Sequence, residues 1–235
     1  MSTINFHLVI TKKGGGGKTS YVNALTNKAH KDDIEISVVD FDPTSKSAQA
    51  QLKWAKVGIA DISDADGQIK HEKFEFFFDQ CLEGDYNVYV ADGGGNTSEQ
   101  LVSYLQDPTN KEIFKEYAAE GINFHFHIII AGGTGYTTCA NYAEDILALT
   151  QDIGKRYLVI NEYYDMTKEQ LKDLRELSQN MSCKIRRFNL IDGNPEIMVN
   201  EVYGCISQGV CPIENVSRPT LRRLKRTLDN IEFDF

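Results

Sequence analysis

No stretch of this chain approaches the roughly 20 consecutive apolar residues that a membrane-spanning helix requires, so a transmembrane protein is not expected. The opening residues, Met1 to Leu8, have neither the basic start nor the apolar length of a secretory leader. Proline is scarce, at 5 of 235 residues, and no proline- or serine-rich tract, low-complexity segment or internal repeat divides the chain. One domain spanning 1–235 is therefore expected. Cysteines are odd in number and scattered, at 81, 139, 183, 205 and 211. That argues against a disulfide framework and fits a reducing compartment. Cys205 and Cys211 are the nearest pair, but no matching Cys/His pair completes a zinc spacing, so metal binding by cysteine is not expected. Positive charge is in deficit too: the formal net charge is −9, and the chain as a whole should repel nucleic acid.

What is present is ordinary soluble composition, 41% hydrophobic and 25% charged, arranged in a regular alternation. Short apolar, β-branched runs at 6–10, 34–39, 88–91, 124–130, 157–160 and 184–190 read as strands. Amphipathic segments at 18–30, 45–56, 70–82, 98–105, 111–119, 137–152, 168–180 and 219–230 read as helices. Strand–helix alternation predicts an α/β fold: a doubly wound, mostly parallel sheet with helices on both faces. Ligands of such sheets sit beyond the carboxyl ends of the strands, and the polar motifs of this sequence fall there.

After the first strand comes Lys13-Gly14-Gly15-Gly16-Gly17-Lys18-Thr19-Ser20. Four glycines let backbone N–H groups curl around phosphate oxygens without Cβ interference. The helix beginning at Lys18 adds partial positive charge, Lys18 reaches β/γ-phosphates, and the Thr19 hydroxyl suits Mg²⁺. Val88-Tyr89-Val90-Ala91-Asp92 is an apolar strand ending in an acid, the Walker B pattern, so Asp92 is the candidate to hold Mg²⁺ through water. The glycines 93–95 after it suggest a loose switch segment. Asn96 and Thr97 offer either a phosphate or partner contact, or a cap for a helix starting at 98.

The general P-loop would carry glycine at position 12, where this chain has Lys12. Lys-Gly-Gly-x-Gly-Lys-Thr-Ser resembles instead the deviant Walker A loop of the ParA/MinD family of ATPases. The resemblance implies ATP and Mg²⁺ as ligands and a homodimer in the ATP-bound state. It also implies that Lys13 reaches phosphates held by the partner subunit; the alternative is that Lys13 neighbours only its own ligand. The Asp-x-Asp-Pro segment of that family matches Asp40 and Asp42. By that match Asp42 orients the attacking water and Asp40 supports the Mg²⁺. Asn161, ending the strand 157–160, falls where the family places an Asn against adenine, although a turn-forming Asn reads equally from the residue itself. A second base contact is expected from the loop Asp192-Gly193-Asn194-Pro195. Gly132, Gly133 and Gly135 read as a tight turn at the dimer face, and His125 and His127 as packing residues.

Three readings of such a switch compete. Arg218, Arg222, Arg223, Lys225 and Arg226 form a basic segment without acids, on a helix at about 219–230. It suits nonspecific DNA, and the first reading is therefore a DNA- or cargo-positioning ATPase, like those of plasmid partition or conjugative transfer. Slow hydrolysis would be stimulated by a small DNA-binding or cargo adaptor protein, and the place would be the bacterial cytoplasm or nucleoid. Because the phosphate loop begins almost at once, no helix-turn-helix is expected ahead of it. The second reading is a MinD-like membrane-cycling ATPase, which Leu221, Leu224, Leu228 and Ile231 would serve as an apolar stripe. Packing of that stripe on the sheet is the commoner use, and Asp229, Glu232 and Asp234 disfavour an anionic membrane. The third is a non-positioning relative, an electron donor or a client-delivery protein, with an ATP-binding adaptor in conjugative transfer that turns over little ATP as a further alternative. Electron donation and client delivery lack their cysteines and apolar insertion.

Overall fold

The computed structural model describes residues 3–42, 45–191 and 195–233. Seven strands form one sheet: β1 (Ile4–Ile10), β2 (Ser37–Asp40), β3 (Gly58–Ile59), β4 (Val88–Asp92), β5 (Ile122–Ile130), β6 (Lys155–Asn161) and β7 (Lys184–Phe188). Their order is β3-β2-β4-β1-β5-β6-β7, and every pairing is parallel. The expected doubly wound α/β sheet is what forms. The central strands are largely apolar because helices cover both faces, with His7, His125 and His127 the buried polar exceptions in β1 and β5.

Alternation along each strand sorts side chains between the two faces. Phe6, Leu8 and Ile10 of β1, with Phe124, Phe126 and Ile128 of β5, point to one side. They meet α3 (His71–Glu83), α4 (Gly95–Gln106), α5 (Pro108–Glu120), α6 (Tyr136–Leu149) and α7 (Lys168–Asn180). Phenylalanine dominates here: Phe6 packs edge-on against Phe77, Phe78 and Phe124 with centroids 5.5–5.9 Å apart, the spacing aromatic pairs favour. On the other side Val9, Val38, Val90 and Val159 pack on α1 (Lys18–Lys31), α2 (Ser47–Gln51), α8 (Glu196–Gln208) and α10 (Arg218–Asp229). The short α9 (Pro212–Asn215) joins the last two.

Several boundaries differ from expectation for identifiable reasons. Residues 34–36 finish the turn after α1 rather than opening β2: Ile34 N donates to Ala29 O at 2.9 Å. The helix expected over 45–56 breaks at Leu52, whose backbone (φ −121°, ψ 37°) leaves the helical region, and a 3-10 turn follows at Lys53–Ala55. The helix expected from 98 begins at Gly95, so Asn96 and Thr97 lie inside its first turn and do not cap it. Strand β3 and helices α8 and α9 were not expected.

Histidines 125 and 127 pack in the interior, as expected. His127 Nε2 lies 3.0 Å from His7 Nδ1, and its rings are stacked on Tyr157. Burial holds the His127 imidazole well below its ordinary pKa. Beside them the Arg186 guanidinium sits 3.6 Å from the Tyr157 ring centre.

Candidate nucleotide site

Residues 12–17 turn between the end of β1 and the start of α1. Gly16 N donates to Lys13 O at 3.1 Å, closing the turn. Gly17 stands at φ 102°, a backbone state that an L side chain strains to reach, and a Cβ there would collide with the Asn161 amide. The first turn of α1 carries no acidic residue of its own, which leaves its partial positive charge facing the loop.

Thr19, in that first turn, donates from Oγ1 to Asp92 Oδ2 at 2.6 Å and lies 3.1 Å from Ser47 Oγ. Asp92 ends β4 and is 1% exposed. Its other oxygen, Oδ1, is buried and has no hydrogen-bond partner among the described residues. Burial pushes the Asp92 carboxyl up to about 6, against the Thr19 hydrogen bond and the Lys18 charge. Burial also lowers Lys18 below the ordinary lysine range, opposed by Asp92 and Asp42. A buried carboxylate with an orphaned oxygen, beside the Thr19 hydroxyl, is suited to a hard cation that prefers oxygen ligands. The residues present thus fit Mg²⁺.

Asp40 ends β2 and is fully buried. Its Oδ1 accepts from Asp42 N at 2.9 Å, and its Oδ2 accepts from Ala48 N at 3.0 Å and Gln49 N at 3.4 Å. Both oxygens are therefore committed to holding the β2–α2 turn, which places Asp40 as a brace for the site rather than a free ligand. Asp42 lies at the rim and accepts from Ser45 N at 2.9 Å and Ser45 Oγ at 2.8 Å. The backbone of Gly94 passes so close that a Cβ there would collide with Asp42.

The segment after β4 is closely tied rather than loose. Gly93 N donates to Val9 O at 2.9 Å, Ser98 Oγ to Gly93 O at 2.7 Å, and Thr97 Oγ1 to Phe41 O at 3.0 Å. Asn96 Nδ2 donates to Gly67 O at 2.8 Å. The side chains of Asn96 and Thr97 thus secure neighbouring loops, which corrects the capping expectation.

Gly14 to Ser20, Asp42, Ser45, Ser47, Gln51, Gly94 and Gly95 line a cavity of about 430 Å³. A second cavity of about 370 Å³ meets it at Gly15, Gly17 and Ser20 and extends between Asn161, Tyr163, Tyr164, Phe188 and Tyr203. Asn161 lies at this junction as the sequence suggested, but its amide is engaged by backbone. Nδ2 donates to Gly16 O at 3.0 Å, and Oδ1 accepts from Tyr163 N at 3.1 Å. The loop residues Asp192, Gly193 and Asn194, expected to add a base contact, lie outside the described residues.

Sequence reading missed Tyr164, whose hydroxyl donates to Gly15 O at 2.6 Å. The Tyr163-Tyr164 pair directly after Asn161 was the available signal. The Lys13 side chain runs over Gly135, and its Nζ lies 5.8 Å from the Tyr164 ring centre. The basic segment is separate from these cavities. Arg218, Arg222, Lys225 and Arg226 of α10 are exposed and Arg223 is half-buried, while Leu224, Leu228 and Ile231 are buried in the core facing α1.

No family model matches the chain, and no curated protein matches it. Solved structures do. The septum site-determining protein MinD of Pyrococcus horikoshii, complexed with Mg-ADP, is 12% identical over 97% of this chain and 95% of its own, with a TM-score of 0.58. The cell division ATPase MinD of Pyrococcus furiosus is 12% identical over 98% of both chains, with a TM-score of 0.52. The MinC:MinD cell division complex of Aquifex aeolicus is matched at 11% identity over 96% and 94%, with a TM-score of 0.53. End-to-end coverage at such low identity is a statement about architecture: the chain has the fold of the MinD-type P-loop ATPases.

Proposed function

We propose that this protein is an ATP-dependent, dimerising switch ATPase of the ParA/MinD type that positions DNA or a protein cargo. The observation that carries the proposal is the Lys18–Thr19–Asp92 cluster, in which a buried carboxylate bonded to the first turn of α1 keeps one oxygen unpaired among the described residues. The loop N–H groups and the start of α1 bind phosphate oxygens, and Lys18 adds a mobile charge to them. Thr19 and Asp92 hold Mg²⁺, which when bound neutralises charge on the phosphates. Asp40 keeps the β2–α2 turn in place, and Asp42 at the rim orients water for attack on the terminal phosphate. Lys13 leaves its own Tyr164 and reaches the phosphates of a second copy. The aromatic cavity at Tyr163 and Tyr203 takes the base. The Mg-ADP complex of the Pyrococcus horikoshii neighbour supports this assignment of ligands.

The partner class follows from charge. Four exposed cations on α10, in a protein of net charge −9, favour a polyanion held without sequence readout, and nonspecific DNA fits that chemistry. A small adaptor protein supplies the stimulus for hydrolysis. The membrane-cycling reading is disfavoured because the leucine stripe of α10 is buried on α1.

The test is Mg²⁺-dependent ATP binding, hydrolysis and light scattering on the wild type and on Lys18→Ala. Wild type should bind ATP, turn it over slowly and double in mass with ATP present, and Lys18→Ala should do none of these. Normal ATP binding by Lys18→Ala would overturn the proposal. ATP binding and dimerisation with no turnover, even with an adaptor added, would instead favour an ATP-binding adaptor.

A further inference from the structure

Far from the glycine loop, at the other end of α1, the fold brings together three side chains of the kind that bind transition metals. His30 occupies the last turn of α1, Cys211 precedes α9, and Glu214 lies within α9. One ligand atom from each falls within 4.8 Å of the other two. His30 Nε2 is already 3.1 Å from Glu214 Oε1, close to the separation of two ligands on one tetrahedral ion. The donors are an imidazole, a thiol and a carboxylate from chain segments 184 residues apart, so local sequence proximity does not account for the grouping.

The surroundings favour a cation. A cavity of about 560 Å³ opens beside His30 and Glu214 and is also lined by Asp33, Glu35 and Trp54. Two additional carboxylates bias the local potential toward positive ions, and the cavity leaves room for water as a further ligand. Cys211 is 2% exposed, which shields a metal–sulfur bond, while His30 and Glu214 remain open to solvent for entry.

We propose that His30, Cys211 and Glu214 form a site for one thiophilic divalent metal ion of the zinc class, its fourth position filled by water. Sulfur and imidazole nitrogen select Zn²⁺ or Co²⁺ over Mg²⁺ and Ca²⁺, which prefer all-oxygen shells. The site is chemically separate from the Mg²⁺ seat at Thr19 and Asp92, and it does not depend on the ATPase reading. A bound ion joins the last turn of α1 to α9, fastening the C-terminal helices to the helix that begins at the phosphate loop.

The chain supplies its own reporter. Trp54 is the only tryptophan of the sequence, and its ring packs edge-on against His30 with centroids 5.3 Å apart. The experiment is a Co²⁺ titration of untagged, nucleotide-free, reduced protein, followed by absorbance and by Trp54 fluorescence. One equivalent should produce a thiolate-to-cobalt charge-transfer band and quench the tryptophan. Zn²⁺ should reverse both, and excess Mg²⁺ should reverse neither. Co²⁺ at the glycine loop would give no such band, because no cysteine lines that cavity.

Cys211→Ser should abolish the band, and Cys205→Ser should retain it. His30→Gln, at a half-exposed surface position where folding is not at stake, should weaken Co²⁺ binding by about tenfold or more. Absence of the band at one equivalent, its survival in Cys211→Ser, its loss in Cys205→Ser, or unchanged affinity in His30→Gln would each overturn the site.

Discussion

The Thr19 hydroxyl donates to Asp92 Oδ2 at 2.6 Å, tying the first turn of α1 to the end of β4. The bond joins two segments 73 residues apart, and the second Asp92 oxygen has no partner among the described residues. Replacing Thr19 by Val keeps the volume but removes the hydroxyl. A hydrogen bond to a charged group contributes about 1.5–3 kcal/mol. With Thr19 proposed to hold Mg²⁺ beside Asp92, Thr19→Val should also weaken Mg²⁺-dependent ATP binding by about tenfold or more, measured by calorimetry with and without Mg²⁺.

Asp92→Asn should separate function from stability. The folded-state carboxyl lies at about 6, above its ordinary value of 3.8, so folding disfavours its ionised form. That cost is fully present above about pH 6 and absent below about pH 4, since a raised carboxyl favours the folded state only when protonated. At pH 8 without nucleotide, Asp92→Asn should be more stable than wild type by about 1–3 kcal/mol, and the gain should vanish toward pH 4. Urea melts at the two pH values measure it, and Mg²⁺-dependent ATP binding should be lost in the same variant.

Gly94→Ala tests how Asp42 is placed. An added methyl group collides with the Asp42 side chain and pushes it from the rim, while the glycine loop is untouched. ATP binding should stay within about threefold of wild type, and hydrolysis should fall by about 10²-fold, the scale of a misplaced catalytic group. Asp42→Ala should lose turnover similarly yet still form the ATP-bound dimer in light scattering. A monomeric Asp42→Ala protein would count against the shared-site dimer.

Asn161→Ala should not change base preference. One N–H and one lone pair of its amide hold Gly16 O and Tyr163 N, so its loss should loosen the loop and weaken ATP and GTP by similar factors. A variant that discriminated the two nucleotides differently from wild type would restore Asn161 as a base reader.

Replacing Arg222, Lys225 and Arg226 together by alanine removes three exposed charges from α10 without touching Leu224 or Leu228. If α10 meets DNA phosphates, the log–log salt slope of DNA binding should fall by about three. Fluorescence anisotropy over a salt series reads this, and an unchanged slope places DNA elsewhere or nowhere.

What was legible in the sequence was local. Lys13 to Ser20, Asp40 and Asp92 each sit just after an apolar strand, so their position could be read from neighbours. Side chains whose meaning depends on distant partners could not be. The proposed metal site joins His30 to Cys211 and Glu214 across a chain separation that spacing rules do not search, and Tyr164 matters only because β6 ends beside Gly15. Helix α8 escaped notice because only Val202 and Ile206 are buried along it, too few for a clear period. Strand β3 has two residues, both exposed. Asn96 and Thr97 resembled a cap because the helix begins with Gly95, a residue that rarely announces a helix start.

The burial of Leu224, Leu228 and Ile231 against the side of the sheet that carries α1 has a consequence for any cycle this protein runs. An amphipathic helix can be lent to an outside surface only if the molecule survives its departure. Here departure would uncover the helix whose first turn holds Lys18 and Thr19. Packed in this way, α10 closes over α1 as a clasp, and its charged side is the face left open to solvent.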